Sequence, residues 1–531
     1  MGTRLVQIVA AAVLPALIGA CATTGGGGAT GTVDRAIAAL GGESALRSIR
    51  SIEATGASKH WDPEQSHVPG GEMRFAGDSA FTLRRDLAAD AARVEWVRKL
   101  VYPGTRDYRF TEIVNGGAGF VQGVDTTSRV KQNLDSNPPS HAMSRFRTAA
   151  MTRELMRTSP SLLLQMKANA AQLSAQPDVE VGGQKLKAVG YAAGGRNFIV
   201  MFDANGLPAR IRTLDYDSLQ GNSTYDLVLS DWRDVNGAKL AHRLDYQLNG
   251  RTVIETRYDA VRANSSLPAD AFEIPAAFKL AAGAPAVTVP YQWVLRRQFI
   301  GVYLDSDAVA FDPQASQGLR LQDIAPGVAL TQGVTHNSMI VEMRDHLIVF
   351  DAPIGESFSK AVLQQLAAKY PGKPVRTLVL THHHMDHSSG TRAYVAQGAT
   401  LVVGAGVGAH FRRLLTADHS MNPEGAKPID KLQITEVTDR TVLTDGTRRV
   451  SAFVIDNPHS AGGMIGFVED ARLGFVTDLW SPGRDTLGQK LSAGQAAVVA
   501  GVQKAGIAPE RFAGGHGSIG TYADLAALAG K

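Results

Sequence analysis

Between residues 33 and 275, apolar and polar positions alternate with a period of two over long stretches. Leu244, Tyr246 and Leu248 fall on one side and Asp245 and Gln247 on the other, the pattern of a half-buried strand. Three Asn-Gly pairs, at Asn205-Gly206, Asn236-Gly237 and Asn249-Gly250, punctuate the region. Both residue types tolerate positive φ, so each pair predicts a tight hairpin turn. A helical stretch is expected over 141–170, broken at Ser159-Pro160. Residues 33–280 are therefore expected to form an antiparallel, β-rich domain. Residues 281–290 (AAGAPAVTVP) read as a linker, and 281–320 as a connecting segment. From about Leu321 the pattern changes to short apolar runs alternating with helical stretches. Strands are expected at 327–332, 339–343, 347–350, 375–380, 450–455 and 473–476. A helix is expected over 356–370, with Val362, Leu363 and Leu366 on one face. The fold class is α+β, in more than one domain, with 321–531 as the second.

The first twenty residues follow a different rule. Arg4 gives a short positive start, and 5–20 is nearly all apolar but interrupted at Pro15. That stretch is short for a bilayer span and predicts a secretory signal over 1–20. It ends in Leu17-Ile18-Gly19-Ala20-Cys21, which resembles the lipobox of bacterial lipoproteins. The resemblance implies lipidation at Cys21 and a site on the periplasmic side of a bacterial cell envelope, at the outer membrane. Residues 21–32, with Gly25 to Gly28, are expected to be a flexible tether.

Composition narrows the chemistry. Of 531 residues, 44% are hydrophobic, enough for large cores. Lys and Arg number 54 against 50 Asp and Glu, with no basic block, so no nucleic-acid partner is expected. Cys21 is the one cysteine, which excludes disulfides, a cysteine nucleophile and thiolate metal ligands elsewhere in the chain.

The candidate chemistry lies at the end of the expected strand 375–380. Thr381-His382-His383-His384-Met385-Asp386-His387 holds four of the fourteen histidines within six residues. Imidazoles and a carboxylate at this density are a metal-ligand set. His459, Asp478 and His516 each stand just past an expected strand, so all can gather at one sheet edge. His383 and Met385 alternate with the ligands and are expected to point away and pack.

These residues resemble the metallo-β-lactamase-fold superfamily over 321–531. The resemblance implies an αββα sandwich preceded here by the antiparallel, half-barrel-like domain, whose turns loosely resemble lipoprotein carriers. By that resemblance His382, His384 and His459 hold a first metal, Asp386, His387 and His516 a second, and Asp478 bridges them. The ions implied are two Zn2+, with Fe or Mn as other occupants. Two such cations share a water and lower its pKa toward about 7, giving a hydroxide without an activated Ser or Cys. Asp386 is the expected catalytic residue, orienting the hydroxide and taking its proton. An Asp at the bridging position is closer to glyoxalase II and lactonases than to true metallo-β-lactamases. The expected reaction is hydrolysis of an ester, lactone, thioester or amide in a small molecule. His336 and Asn337 precede a core strand and are candidate substrate contacts. Two alternatives use fewer of these groups: a mononuclear-iron sulfur dioxygenase of the same superfamily, and a non-catalytic carrier lipoprotein with a structural metal site.

Overall fold

The computed structural model describes residues 26–62, 65–102, 104–125, 139–193, 196–279, 318–422 and 425–529. The signal, Cys21 and the linker 281–290 lie outside the described residues. No helix among the described residues is long and apolar enough to cross a membrane.

The N-terminal half is built on one antiparallel sheet of thirteen strands. Six consecutive strands, from Ser51–Asp62 to Ser140–Ala142, form a meander running outward in one direction. Seven more, from Leu173–Val181 to Arg251–Ala263, return from the other edge. Strand Ser51–Asp62 pairs with Arg74–Asp86 on one side and Arg251–Ala263 on the other, which joins the two meanders. Two of the three Asn-Gly pairs form the expected turn; at Asn205-Gly206 only Gly206 takes positive φ, 83°, within a longer loop between Arg196–Phe202 and Pro208–Asp217. Asn236 and Gly237 take φ of 54° and 79°, and Asn249 and Gly250 take 47° and 79°, both in the left-handed region. Such turns match the right-handed twist of the strands they join.

Helices Gly26–Ala39 and Leu162–Ala168 cover one face of this sheet. Residues 26–32, expected as part of a flexible tether, are instead the opening turns of the first helix. Ala29, Val33, Ala36, Ile37 and Leu40 recur at helical spacing and are buried with Leu163, Val200 and Phe202. Burying each such large side chain is worth about 1.5–3 kcal/mol, which outweighs the poor helix propensity of the glycines. The expected break at Ser159-Pro160 separates Arg145–Arg157 from Leu162–Ala168.

The C-terminal half is a four-layer sandwich. One sheet has seven strands, in the order Arg320–Ala325, Val328–Gln332, Met339–Glu342, Leu347–Phe350, Val375–Val379, Thr400–Gly404, Ile434–Val437. The other has six: Arg440–Thr444, Arg449–Val454, Met464–Val468, Leu473–Val476, Arg511–Gly514, Ile519–Thr521. Their facing sides interdigitate, with Val341, Ile348 and Phe350 meeting Val450, Val468 and Phe475. Helices Glu356–Lys369 and Gly408–Leu415 bury Phe358, Val362, Leu366 and Phe411 on the outside of the first sheet. Helix Ala493–Ala505 buries Val498, Val499 and Val502 on the outside of the second. Strands covered on both faces explain the unbroken apolar run Leu347-Ile348-Val349-Phe350.

Among the described residues the halves meet around Tyr216 to Asn222 and again near Gln65 to Arg74. Asn222 accepts at Oδ1 from the Met421 amide and donates to the Asp418 carboxylate, while the Tyr216 hydroxyl donates to Glu356. The second contact is the segment after the first strand, around Gln65 to Arg74, and it lies on the candidate site.

Candidate metal centre

Parallel pairing places strand ends together. Strands Leu347–Phe350 and Val375–Val379 run parallel, so Asp351 and Thr381-His382 emerge at the same edge. In the facing sheet Leu473–Val476 and Arg511–Gly514 are also parallel and deliver Asp478 and His516 there. His459 follows Arg449–Val454, and Asp386 and His387 sit on the short helix Met385–Ser388. Open α/β sheets gather functional groups at the carboxyl ends of their strands for this reason.

The structure brings all seven expected ligands together. Nitrogen or oxygen atoms of His382, His384, His459 and Asp478 lie within 4.8 Å of one another, as do those of His336, Asp386, His387 and His516. Asp478 touches both groups. Its Oδ2 lies 3.3 Å from His382 Nε2, 3.0 Å from His459 Nε2 and 3.3 Å from His387 Nε2, and its Oδ1 is 2.8 Å from His516 Nε2. A carboxylate among four imidazoles is placed to bridge two cations. Its backbone φ of 63° is uncommon for a residue with a side chain, though Asp tolerates it better than most.

Outer hydrogen bonds decide which ring nitrogen is available in His516 and His384. A backbone carbonyl only accepts, so the nitrogen facing it carries the proton. His516 Nδ1 donates to the Thr335 carbonyl at 3.0 Å, which leaves Nε2 as the lone-pair donor facing Asp478. His384 Nε2 donates to the Ser66 carbonyl at 3.0 Å, and its Nδ1 is buried without a hydrogen-bond partner. An orphaned, buried imidazole nitrogen aimed at other ligand atoms is what a metal site requires. The two donor groups fit metal cations.

Electrostatics support the same assignment. Burial lowers His382 to about 4 despite its contact with Asp478, and lowers His384 further, aided by His382 and His459. Both are neutral and able to coordinate at physiological pH. Burial also opposes charge on His387, but the Asp478 and Asp386 carboxylates outweigh it and raise this group to about 9. Burial works against an ionised Asp478, yet His387 and His516 hold it well below the usual carboxylate range. Metal coordination needs neutral His387, so loading metal-free protein at pH 7 should release about one proton from it, and less as pH rises through 9. Calorimetric titration in buffers of different ionisation enthalpy measures this; a heat that is independent of buffer contradicts it.

His383 points away from the ligand cluster, donating from Nε2 to Ser66 at 2.9 Å, and Met385 is fully buried in the core. His336, expected to contact substrate, is 4% exposed, lies 3.4 Å from Asp386 Oδ2 and joins the second ligand group. Asn337 gives its side-chain amide to the carbonyls of Gly514 and Gly517 and so ties down the loop carrying His516.

Two contributors had no part in the sequence expectation. Asp351 is fully buried and accepts from the Thr381 amide and from the hydroxyls of Thr381 and Thr477. Burial pushes it up to about 6, against the pull of His387 and these donors. Its signal was available, since it ends a buried strand just as Asp478 and His382 do. Gln65 reaches Asp386 from the N-terminal half with no local sequence signal at all.

A stretch of 59 residues is 39% identical to a linear primary-alkylsulfatase from Pseudomonas sp, covering 11% of this chain and 9% of that protein's length. Among solved structures, a metallo-beta-lactamase from Pontibacter korlensis shares 19% identity over 40% of this chain and 99% of its own, with a TM-score of 0.30. The sec-alkylsulfatase Pisa1 from Pseudomonas sp shares 15% identity over 41% of this chain and 42% of its own, at 0.31. Residues 331–519 match the metallo-beta-lactamase superfamily, so the C-terminal part of this chain is a domain of that superfamily.

Proposed function

We propose that this protein is a metal-dependent hydrolase that cleaves an ester-like bond in a small molecule, with two zinc ions as its cofactor. The observation that carries the reading is Asp478, one carboxylate within 3.3 Å of imidazoles from both ligand groups. His382, His384 and His459 would hold one ion and Asp386, His387 and His516 the other. Bound metals supply a water acidified toward neutral pH and a Lewis acid for the substrate oxygen. The chain's own part is to place that chemistry. Asp386 would orient that water and accept its proton at the carboxylate. Asp478 balances charge between the two sites. The less buried edge, where His459 and His516 are 17% and 14% exposed in their side chains, is where substrate enters.

Carboxylic esters, lactones, thioesters and amides are all within reach of this chemistry. The local likeness to an alkylsulfatase adds sulfate esters. Retention of two complete ligand groups favours the hydrolase over a single-iron oxygenase or a closed structural site, which needs only four ligands. A lipid anchor at Cys21 would hold the enzyme on the periplasmic face of the cell envelope.

The test is a panel of chromogenic carboxylic, thio- and sulfate esters, lactones and a β-lactam, assayed with the zinc-loaded chain. Turnover that a chelator abolishes and added zinc restores is the expected result. Zinc-loaded, folded protein inert to every class would overturn the reading.

A further inference from the structure

The sheet of the N-terminal half reaches into the metal centre. After strand Ser51–Asp62 the chain passes through Gln65 and Ser66, both 1% exposed, before re-entering the sheet at Arg74. Several hydrogen bonds fasten this segment to the ligand loops. Gln65 Nε2 donates to Asp386 Oδ1 at 2.7 Å. The Ser66 carbonyl accepts from His384, and the Ala461 amide donates to the His67 carbonyl at 2.7 Å. The Arg74 guanidinium donates both to the Gln65 carbonyl and to the carbonyl of His459.

The Gln65 amide has a defined orientation. A carboxylate only accepts, so the NH2 end must face Asp386. The other end, Oε1, then accepts from the Tyr102 hydroxyl at 2.8 Å. Tyr102 itself lies beneath the Arg74 guanidinium, 5.0 Å from ring centre to charge. With Oδ1 occupied in this way, Asp386 turns Oδ2 toward His336 and His387, at 3.4 and 3.6 Å. One oxygen is tied to the N-terminal half and the other is presented to the second ligand group.

We propose that Gln65, oriented by Tyr102, is a positioning residue for the second metal: it fixes the Asp386 carboxylate, so that metal occupancy there depends on the N-terminal domain. The proposal rests on the metal-centre reading above and adds a division of labour. The first site takes its ligands His382, His384 and His459 without the Gln65 side chain, although the neighbouring Ser66 carbonyl holds His384. The second depends on a carboxylate that the Gln65 amide holds by its Oδ1. Hydrogen-bonding partners of metal ligands typically contribute 10–100-fold to affinity.

The experiment is zinc titration of the full chain against a chromophoric chelator, with cobalt absorption as a second readout, for wild type, Gln65→Ala, Gln65→Glu and Tyr102→Phe. Gln65→Ala is expected to weaken the second zinc 10–100-fold and leave the first unchanged. Gln65→Glu should also weaken it, because the amide NH2 that donates to Asp386 is lost. Tyr102→Phe should give a smaller loss in the same site, since the amide keeps its bond to Asp386. Wild-type affinity at both sites in Gln65→Ala would overturn the proposal while leaving the hydrolase reading intact. Equal loss at both sites with a lowered melting temperature would overturn it too, by showing a purely structural role. A wild-type chain that binds no zinc would overturn both.

Discussion

Asp478→Ala should abolish hydrolysis, lowering the rate by about 10³-fold or more, and should release the second metal before the first. The carboxylate lies within 3.3 Å of His382, His387, His459 and His516. Without it, each cation loses a negative ligand and the two feel their mutual repulsion unshielded. Loss of several kcal/mol of charge stabilisation at the reacting centre corresponds to about three orders of magnitude in rate. The first site keeps three neutral imidazoles, so one metal per chain should remain at moderate zinc concentration. His387 is held near 9 mainly by Asp478 and Asp386, so removing Asp478 should also lower it. Metal content measured alongside turnover checks both parts; a variant that keeps two metals and most of its activity contradicts the bridging role.

A second large effect is expected at a residue that is not a ligand. Asp351 sits between the sheets and joins two ligand-bearing strand ends, through Thr381 beside His382 and Thr477 beside Asp478. Asp351→Ala leaves one backbone amide and two hydroxyls without their acceptor in a buried space. Each unsatisfied group costs about 1–3 kcal/mol, so the three together predict a destabilisation of about 3–9 kcal/mol. The ligand loops should also loosen, weakening zinc binding about 10–100-fold. Denaturant melts of metal-free protein separate the two effects, because they report stability with no metal contribution. A melt like that of wild type, with weakened zinc binding, would confine Asp351 to the site; an unchanged zinc affinity would remove it from the centre altogether.

The difference between what the sequence reveals and what it hides is physical. His382 through His387 are legible because metal ligation concentrates an uncommon side chain within one short loop. His459, Asp478 and His516 are legible because each ends a buried apolar run, and runs such as Leu473-Gly474-Phe475-Val476 mark strands within a residue or two. The helix Glu356–Lys369 shows itself by spacing. The thirteen-strand sheet is different. Its central pairing joins Ile52 to Ala263 and His60 to Ile254, contacts about two hundred residues apart that leave no local pattern. The first helix was obscured by Gly25 to Gly28, although Ala29, Val33, Ala36 and Ile37 carried its period. Strand Arg320–Ala325 is exposed at Arg320, Gln322 and Asp323, and its sequence RLQDIA lacks the period-two alternation that marks a strand. Gln65 is the extreme case: nothing about a glutamine in a turn announces a partner 321 residues away.

The central claim is that two cations sit around Asp478, and metal content per folded chain tests it most directly. Full-length protein purified without chelators and measured by elemental analysis should contain about two zinc ions per chain, exchangeable for cobalt. Correctly folded protein that takes up no tightly held metal, even with zinc in excess, would contradict it.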